Sequence, residues 1–278
     1  MKKLLILLAI TSTLVLPALA SVLLAAFGDA RAAEETLRLA TTTSTENSGL
    51  LNAILPLFEA KYDTRVRVIS VGSGKAMKLG ENGDVDVVLV HSRADEEKFV
   101  AAGFGVNRRD VMYNDFIIVG PGSDPAGVRG GDVLTAFRKI AAAGSGFVSR
   151  GDDSGTHKME QSYWKAAGVD PAAIPGYASS GLGMGEVLMM AAEMRRYALT
   201  DRATYTAYRA KTSLEILVSG DPKLFNPYGV IAVNPARHPG INHGGAMKFI
   251  EWLTSAEGQA AIAAFRVDGE QLFFPGAR

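Results

Sequence analysis

The segment Ser149-Arg150-Gly151-Asp152-Asp153-Ser154-Gly155-Thr156-His157 sets a fixed cation just ahead of two small hydroxyls that flank a glycine. It follows the apolar Gly146-Phe147-Val148 and leads into Lys158 to Ala167, where Met159, Tyr163, Trp164 and Ala167 recur at helical spacing. The spacing predicts a strand-to-helix turn. A helix start leaves about four backbone N–H groups without intrahelical partners and carries roughly half a positive charge. Beside Arg150, those groups form a donor-rich pocket suited to a small anion. Alone, the same residues also describe a helix cap with a solvated arginine nearby.

Two turns upstream favour the anion. Leu37-Arg38-Leu39-Ala40 alternates like a half-buried strand and runs into Thr41-Thr42-Thr43-Ser44-Thr45-Glu46, where Thr43 and Glu46 have capping-box spacing. Leu50, Leu51, Ile54, Leu57 and Phe58 then share a helical face, and Pro56 calls for a kink or a restart. Arg65 to Val71 alternates again and ends at Gly72-Ser73-Gly74-Lys75, with a short helix expected over Ala76 to Gly80. All three hydroxyl-rich turns fall at the carboxyl ends of strands, the edge where open α/β sheets bind ligands. None offers an obvious acceptor, so together they select an anion that carries no proton. Five or six charge-assisted hydrogen bonds of roughly 1.5–3 kcal/mol each cover the roughly 12 kcal/mol of a nanomolar site when the lobes are pre-shaped. Asp152 and Asp153 would repel a dianion if both faced it. The consistent arrangement has Asp152 pairing with Arg150 from behind and fixing its fork, while Asp153 caps the helix or faces solvent.

Strands and helices alternate through the chain, which predicts an α/β fold with mainly parallel sheets flanked by helices. Val85 to Val90 reads as a buried parallel strand with Asp86 inside it, and Ala94 to Ala102 as an acidic-started helix. Two β-branched runs ended by proline, Phe116 to Gly122 and Gly229 to Pro235, bracket a middle section with its own α/β pattern. That section holds the helix Leu134 to Ala143, the Ser149 to Ala167 unit, Gly181-Leu182-Gly183-Met184-Gly185, a methionine-rich helix Glu186 to Tyr197, and Ala198 to Asp201. A chain that leaves one lobe and returns through a matching strand makes two lobes on a two-strand hinge. The expected division is residues 33–118 for the first part of lobe 1, 119–228 for lobe 2, and 229–278 for the return strand and C-terminal helices of lobe 1. Met247, Phe249, Ile250, Trp252 and Leu253 form one amphipathic helix there, and Ser255 can cap the next.

Composition narrows the function. The chain is formally neutral, which argues against nucleic acid. It has no cysteine, so thiolate chemistry, cysteine-ligated metal and a lipidated cysteine anchor are excluded. Met1-Lys2-Lys3 and the apolar run Leu4 to Leu16, followed by Ala18-Leu19-Ala20 and Ala30-Arg31-Ala32, read as a cleavable export signal over residues 1–32. A soluble periplasmic protein is expected; an uncleaved anchor is the alternative. Gly72-Ser73-Gly74-Lys75-Ala76 lacks the first glycine and the closing hydroxyl of a P-loop. There is no Gly-x-Ser-x-Gly elbow. His91, His157, His238 and His243 show no metal spacing and read as surface or structural residues, with His157 a lesser candidate donor to the anion. Met184, Met189, Met190 and Met194 are expected in the core.

In combination, Thr41-Thr42-Thr43-Ser44 with Glu46-Asn47-Ser48-Gly49-Leu50, Val71-Gly72-Ser73-Gly74-Lys75-Ala76, Ser149 to His157 and Leu199-Thr200-Asp201-Arg202 resemble the type II periplasmic solute-binding proteins of ABC importers, and most closely their tungstate-binding family. Phe249 to Ser255 with Glu257-Gly258-Gln259 is shared more widely among oxyanion-binding relatives and speaks for the fold. The resemblance covers essentially all of the chain after residue 32. It implies capture of tungstate, and of molybdate as a second ligand, between two closing lobes, with delivery to a membrane permease driven by a cytoplasmic ATPase. Thr42, Ser44 and Ser73 would bind from the first lobe; Arg150, Ser154, Gly155 through its N–H, and Thr156 would bind from the second. No catalytic residue, cofactor or protein-ligated metal is implied, and a monomer is expected. The phosphate-binding relatives need a carboxylate on the turn after the strand that here ends Val90-His91-Ser92, and no Asp or Glu stands there. A phosphate or sulfate carrier, or an exported enzyme acting on phosphate esters, stays open at this stage.

Overall fold

A computed structural model of the chain describes residues 35–277. The export signal expected over residues 1–32 lies outside the described residues. Strand β1 (Glu35–Thr42) ends in helix α1 (Thr43–Asn47), and α2 (Leu50–Tyr62) follows. Next come β2 (Thr64–Val71), α3 (Ser73–Asn82), β3 (Val87–Val90), α4 (Arg93–Ala101) and the long β4 (Gly105–Pro121). The middle section holds α5 (Val133–Ala143), β5 (Phe147–Ser149), α6 (Gly155–Ala167), β6 (Tyr177–Ser179), α7 (Met184–Met194), β7 (Ala198–Asp201), α8 (Arg202–Tyr208) and β8 (Leu214–Val218). The chain returns through β9 (Phe225–Val233) to α9 (His243–Thr254) and α10 (Ala256–Ala264). Among the described residues no helix is long and apolar enough to cross a membrane.

The α/β class and the two lobes stand, but the sheets are mixed rather than mainly parallel. β1 runs parallel to β2 and β3, whereas β9 is antiparallel to β3 and β4. β4 changes partners along its length. Up to Asp115 it pairs with β9; from Phe116 to Pro121 it pairs antiparallel with β7 and β8. Among the described residues, only β5 with β6 and the Phe147–Tyr197 bridge supply parallel pairing in the second lobe. The cause is the crossing itself: a strand that belongs to both sheets enters each against the direction of its βα units, so it can pair only antiparallel there.

Strand alternation divides each lobe's core into two layers. In the first lobe Leu37, Leu39, Val87 and Leu89 face Phe58, Phe249 and Trp252, while Ala40, Val88 and Val90 face Met77 and Phe99. In the second, Phe116 and Ile118 face Phe137, Phe147 and Trp164, and Ile117 and Val119 face Met184, Val187 and Leu188. Each such buried side chain contributes roughly 1.5–3 kcal/mol relative to exposure. These layers hold the strand ends rigidly enough to present a site. The methionine group is only partly core: Met184 is buried, whereas Met189 and Met194 are exposed.

Several element ends differ from expectation in ways that matter for the site. α3 starts at Ser73 rather than Ala76, and α6 at Gly155 rather than Lys158, so the polar residues of both turns lie in first helical turns. No restart falls at Pro56: α2 opens after Gly49 (φ 81°) and runs through the proline, whose missing donor would have bonded the solvent-facing Asn52. The cap of α1 is Thr42 rather than Thr43. Thr42 keeps the extended backbone of β1 and accepts from Thr45 N at 3.2 Å, which suits a cap better than a residue already helical.

Candidate anion-binding site

The three hydroxyl-rich turns come together between the lobes. Thr42, Ser44, Ser73, Arg150, Ser154 and Thr156 are all almost fully buried. Ser73, in the first turn of α3, accepts from Gly155 N of α6 at 3.2 Å. Arg150 Nη2 reaches Thr43 Oγ1 at 3.1 Å, next to Thr42 and Ser44. Ser44 Oγ lies 3.0 Å from Thr42 Oγ1. Residues from far-separated parts of the chain thus meet at the starts of α1, α3 and α6.

Hydroxyls at these positions can cap a helix and still serve a ligand. Ser154 Oγ accepts from His157 N at 3.2 Å, and Thr42 does the same for Thr45. Capping engages a lone pair and leaves the hydroxyl proton free to donate. Thr156 Oγ1 is buried and has no hydrogen-bond partner among the described residues. Thr41, by contrast, is structural: its hydroxyl donates to Leu89 O at 2.8 Å and ties β1 to β3.

Arg150 is held as a fork. Nε donates to Leu182 O at 2.9 Å, and Nη2 serves Thr43 and Asp152. Among the described residues Nη1 has no partner, so two charged N–H groups stay available. Asp152 pairs with Arg150, its Oδ1 accepts from Ser154 N at 3.1 Å, and it lies against Gly72 of the first lobe. Burial pushes the Asp152 carboxyl up, but the Arg150 charge and the Ser154 bonds outweigh it and hold the acid below its ordinary range. Asp153 is left-handed (φ 59°), solvent-exposed and 3.5 Å from Lys158. His157 turns its Nδ1 to Asp153 N at 3.1 Å, which engages that nitrogen within its own turn.

Three groups that motif reading had not assigned to the site complete it. Asp201 at the end of β7 caps α8, accepting from Thr204 N at 2.8 Å and Thr204 Oγ1 at 2.7 Å, and burial raises its carboxyl to about 6. Thr204 Oγ1 also lies 3.2 Å from Ser44 O, a contact that competes with Asp201 for its one proton. His91 follows β3, where phosphate binders need a carboxylate; its Nε2 lies 3.2 Å from Ser44 Oγ and its ring packs against Gly155. Burial pushes the imidazole down to about 4, so it is neutral at pH 7. Only Leu199 to Arg202 of these carried a sequence signal.

This geometry matches a known architecture. A family model described as the PBP superfamily domain matches residues 11–257. The chain belongs to the PBP superfamily. Among PBP relatives, the tungstate-binding protein TupA of Peptoclostridium acidaminophilum is 47% identical over 88% of this chain and 87% of its own length. The structure of the tungstate ABC transporter from Geobacter sulfurreducens is 54% identical, covers 84% of this chain and 100% of that one, and superposes with a TM-score of 0.78. The tungstate-binding protein TupA from Desulfovibrio alaskensis G20 is 48% identical over 88% of this chain and 100% of that one, with a TM-score of 0.76.

Within this PBP fold, the floor of the Arg150 turn rests on one buried acid. Glu160 of α6 accepts from Ser149 Oγ at 2.6 Å, Trp164 Nε1 at 3.0 Å and Tyr177 Oη at 2.8 Å, and burial raises its carboxyl to about 7. An acid raised in the folded state binds protons more tightly there than when unfolded, so stability falls as pH rises between the two values. Glu160→Gln removes that dependence. The variant should match the parent near pH 4 and exceed it by about 3–4 kcal/mol above pH 8 in denaturant unfolding, by the usual 1.4 kcal/mol per unit; equal stability at pH 8 would count against a buried charge at Glu160.

Proposed function

We propose that this chain is the periplasmic substrate-binding component of an ABC importer, and that it captures tungstate, with molybdate as a second ligand, between its lobes. It is a solute-binding protein and not an enzyme. The observation that carries the reading is the buried convergence of Ser73, Gly155 N–H, Thr156 and Arg150, beside carboxylates that are already engaged. Asp152 is taken by Arg150 and Ser154, and Asp201 by Thr204. Such a cluster offers donors to a proton-free dianion and no free carboxylate to accept from a protonated one. The names of its relatives support tungstate among the dianions. Thr42, Ser44 and Ser73 bind from the first lobe and Arg150, Ser154, Gly155 N–H and Thr156 from the second, while Asp152 holds the Arg150 fork. The partners are a membrane permease and its cytoplasmic ATPase, and residues 1–32 are removed on export. The lobes divide where β4 changes partners, a few residues before the 118/119 boundary read from sequence, and rejoin at β9, a few residues before 228/229. Calorimetry of the mature chain with tungstate, molybdate, sulfate and phosphate is the test. Strong heat with tungstate is expected; strong heat with phosphate and none with tungstate would overturn the choice of ion.

The mouth of the site carries a cross-lobe ion pair. Lys158 of α6 meets Asp95 of α4 at 2.6 Å, and Ser92 Oγ steadies that carboxylate at 2.8 Å. Both side chains are partly solvated, so the pair is worth about 1 kcal/mol or less. Lys158→Ala should speed tungstate dissociation by about threefold to fivefold and leave association nearly unchanged. Stopped-flow fluorescence reads this, and an unchanged dissociation rate would show that the pair does not hold the lobes shut.

A further inference from the structure

Behind Ser44 lies a chain of neutral polar side chains that the binding of an anion does not by itself require. His91 Nε2 is 3.2 Å from Ser44 Oγ, and His91 Nδ1 is 3.0 Å from Asn226 Oδ1. Asn226 Nδ2 is 2.7 Å from Asn114 Oδ1, and Asn114 Nδ2 is 3.4 Å from Tyr228 Oη. Every member is buried, and the His91 ring stacks on Tyr228 with centroids 4.8 Å apart. The Asn residues come from β4 and β9, the strands that cross between the lobes.

The chain has two self-consistent directions. With Asn226 Oδ1 toward the ring, His91 carries its proton on Nδ1, and Nε2 is an acceptor that takes the only proton of Ser44. Turning both amides by half a rotation exchanges donors and acceptors at the same positions. Tyr228 then donates to Asn114, Asn114 to Asn226, Asn226 to His91 Nδ1, and His91 Nε2–H to Ser44 Oγ. Only this second direction releases the Ser44 hydroxyl proton from His91, so that a ligand competes for it with Thr42 Oγ1 alone, 3.0 Å away. In the first, a hydroxyl lone pair would face the ion, and a charge-assisted hydrogen bond would be replaced by repulsion.

We propose that His91 is a specificity-determining positioning residue: a bound dianion sets the Asn114–Asn226–His91–Ser44 chain in the donor direction, with the imidazole proton on Nε2. The change conserves protons, since one leaves Nδ1 to water and one arrives at Nε2 from water while the cleft is open. An oxyanion that carries a proton requires the opposite direction, so the chain discriminates by protonation state and not by size. The neutrality of the buried ring at pH 7 is consistent with this role. The inference rests on Ser44 being a ligand, which belongs to the proposed function.

Histidine-labelled protein, with His91 assigned by its loss in His91→Gln, reports the ring tautomer in long-range proton–nitrogen spectra. With saturating tungstate the proton is expected on Nε2, and a proton on Nδ1 in that complex overturns the proposal while leaving tungstate binding intact. Affinity gives a second readout. His91→Gln keeps a donor for Ser44 and should bind tungstate within about threefold of the parent, whereas His91→Leu should lose about tenfold, the weight of one hydrogen bond. Equal losses in both variants, with both folded, also overturn it. If the parent chain binds none of the four oxyanions by calorimetry, the function and this inference fall together.

Discussion

Arg150→Ala should weaken tungstate binding by about a hundredfold or more, since it removes at least two charge-assisted hydrogen bonds of roughly 1.5–3 kcal/mol each. The same change should destabilise the chain. Arg150 is 2% exposed and Asp152 pairs with it, so the alanine leaves a mostly enclosed carboxylate without its cation. Breaking a buried pair by removing one partner costs roughly 3–5 kcal/mol. Arg150→Lys separates the two contributions. A lysine restores a charge for Asp152 but cannot span Leu182 O, Thr43 and the ligand at once, so stability should recover more than affinity. Calorimetry and denaturant unfolding of both variants provide the check, and wild-type affinity in Arg150→Ala would remove the guanidinium from the site.

Gly155→Ala should leave the fold intact and block closure. The residue opens α6 with an ordinary negative φ, so alanine is conformationally acceptable there. The obstacle lies across the cleft. An added Cβ would sit 2.8 Å from His91 O and 3.2 Å from the His91 ring, both on the opposite lobe. Overpacking of this kind costs roughly 1–3 kcal/mol, and it applies only to the closed form. Tungstate affinity should therefore fall by about tenfold to a hundredfold while the unfolding midpoint of the ligand-free chain stays put. Small-angle scattering should show no compaction on adding the ion. A variant that binds and compacts like the parent would mean that α6 and His91 do not meet when the lobes close.

Both predictions concern residues that stood out before any coordinates, and the reason is local. A strand-to-helix turn must use small, hydroxyl-bearing or glycine residues to expose its N–H groups, so Thr42, Ser73 and Ser154 to Thr156 were visible as turn chemistry. The Arg150–Asp152 pairing was also foreseeable, since two residues of spacing and opposite charge leave few arrangements beside a dianion. Mixed strand direction was not visible, because a β-branched run such as Phe116 to Val119 looks the same in a parallel or an antiparallel ladder. The cap at Thr42 instead of Thr43 was missed because three consecutive threonines have the same capping chemistry, and only the end of β1 chooses among them. His91 had no motif at all. Its burial, its lowered proton affinity and its contacts with Ser44 and Gly155 depend on β3, β4 and β9 lying side by side.

The order of residue types along the chain determined the α/β class, the two-lobed organisation and the presence of donor-rich turns, since periodicity, capping and turn propensity act over a few residues. Tertiary structure alone decided which turns meet, which hydroxyls are left without partners, and that Asn114 and Asn226 stand behind Ser44. Those facts depend on contacts between residues 47 to 135 positions apart, and the free energy of such contacts is set by packing geometry, which no local pattern records.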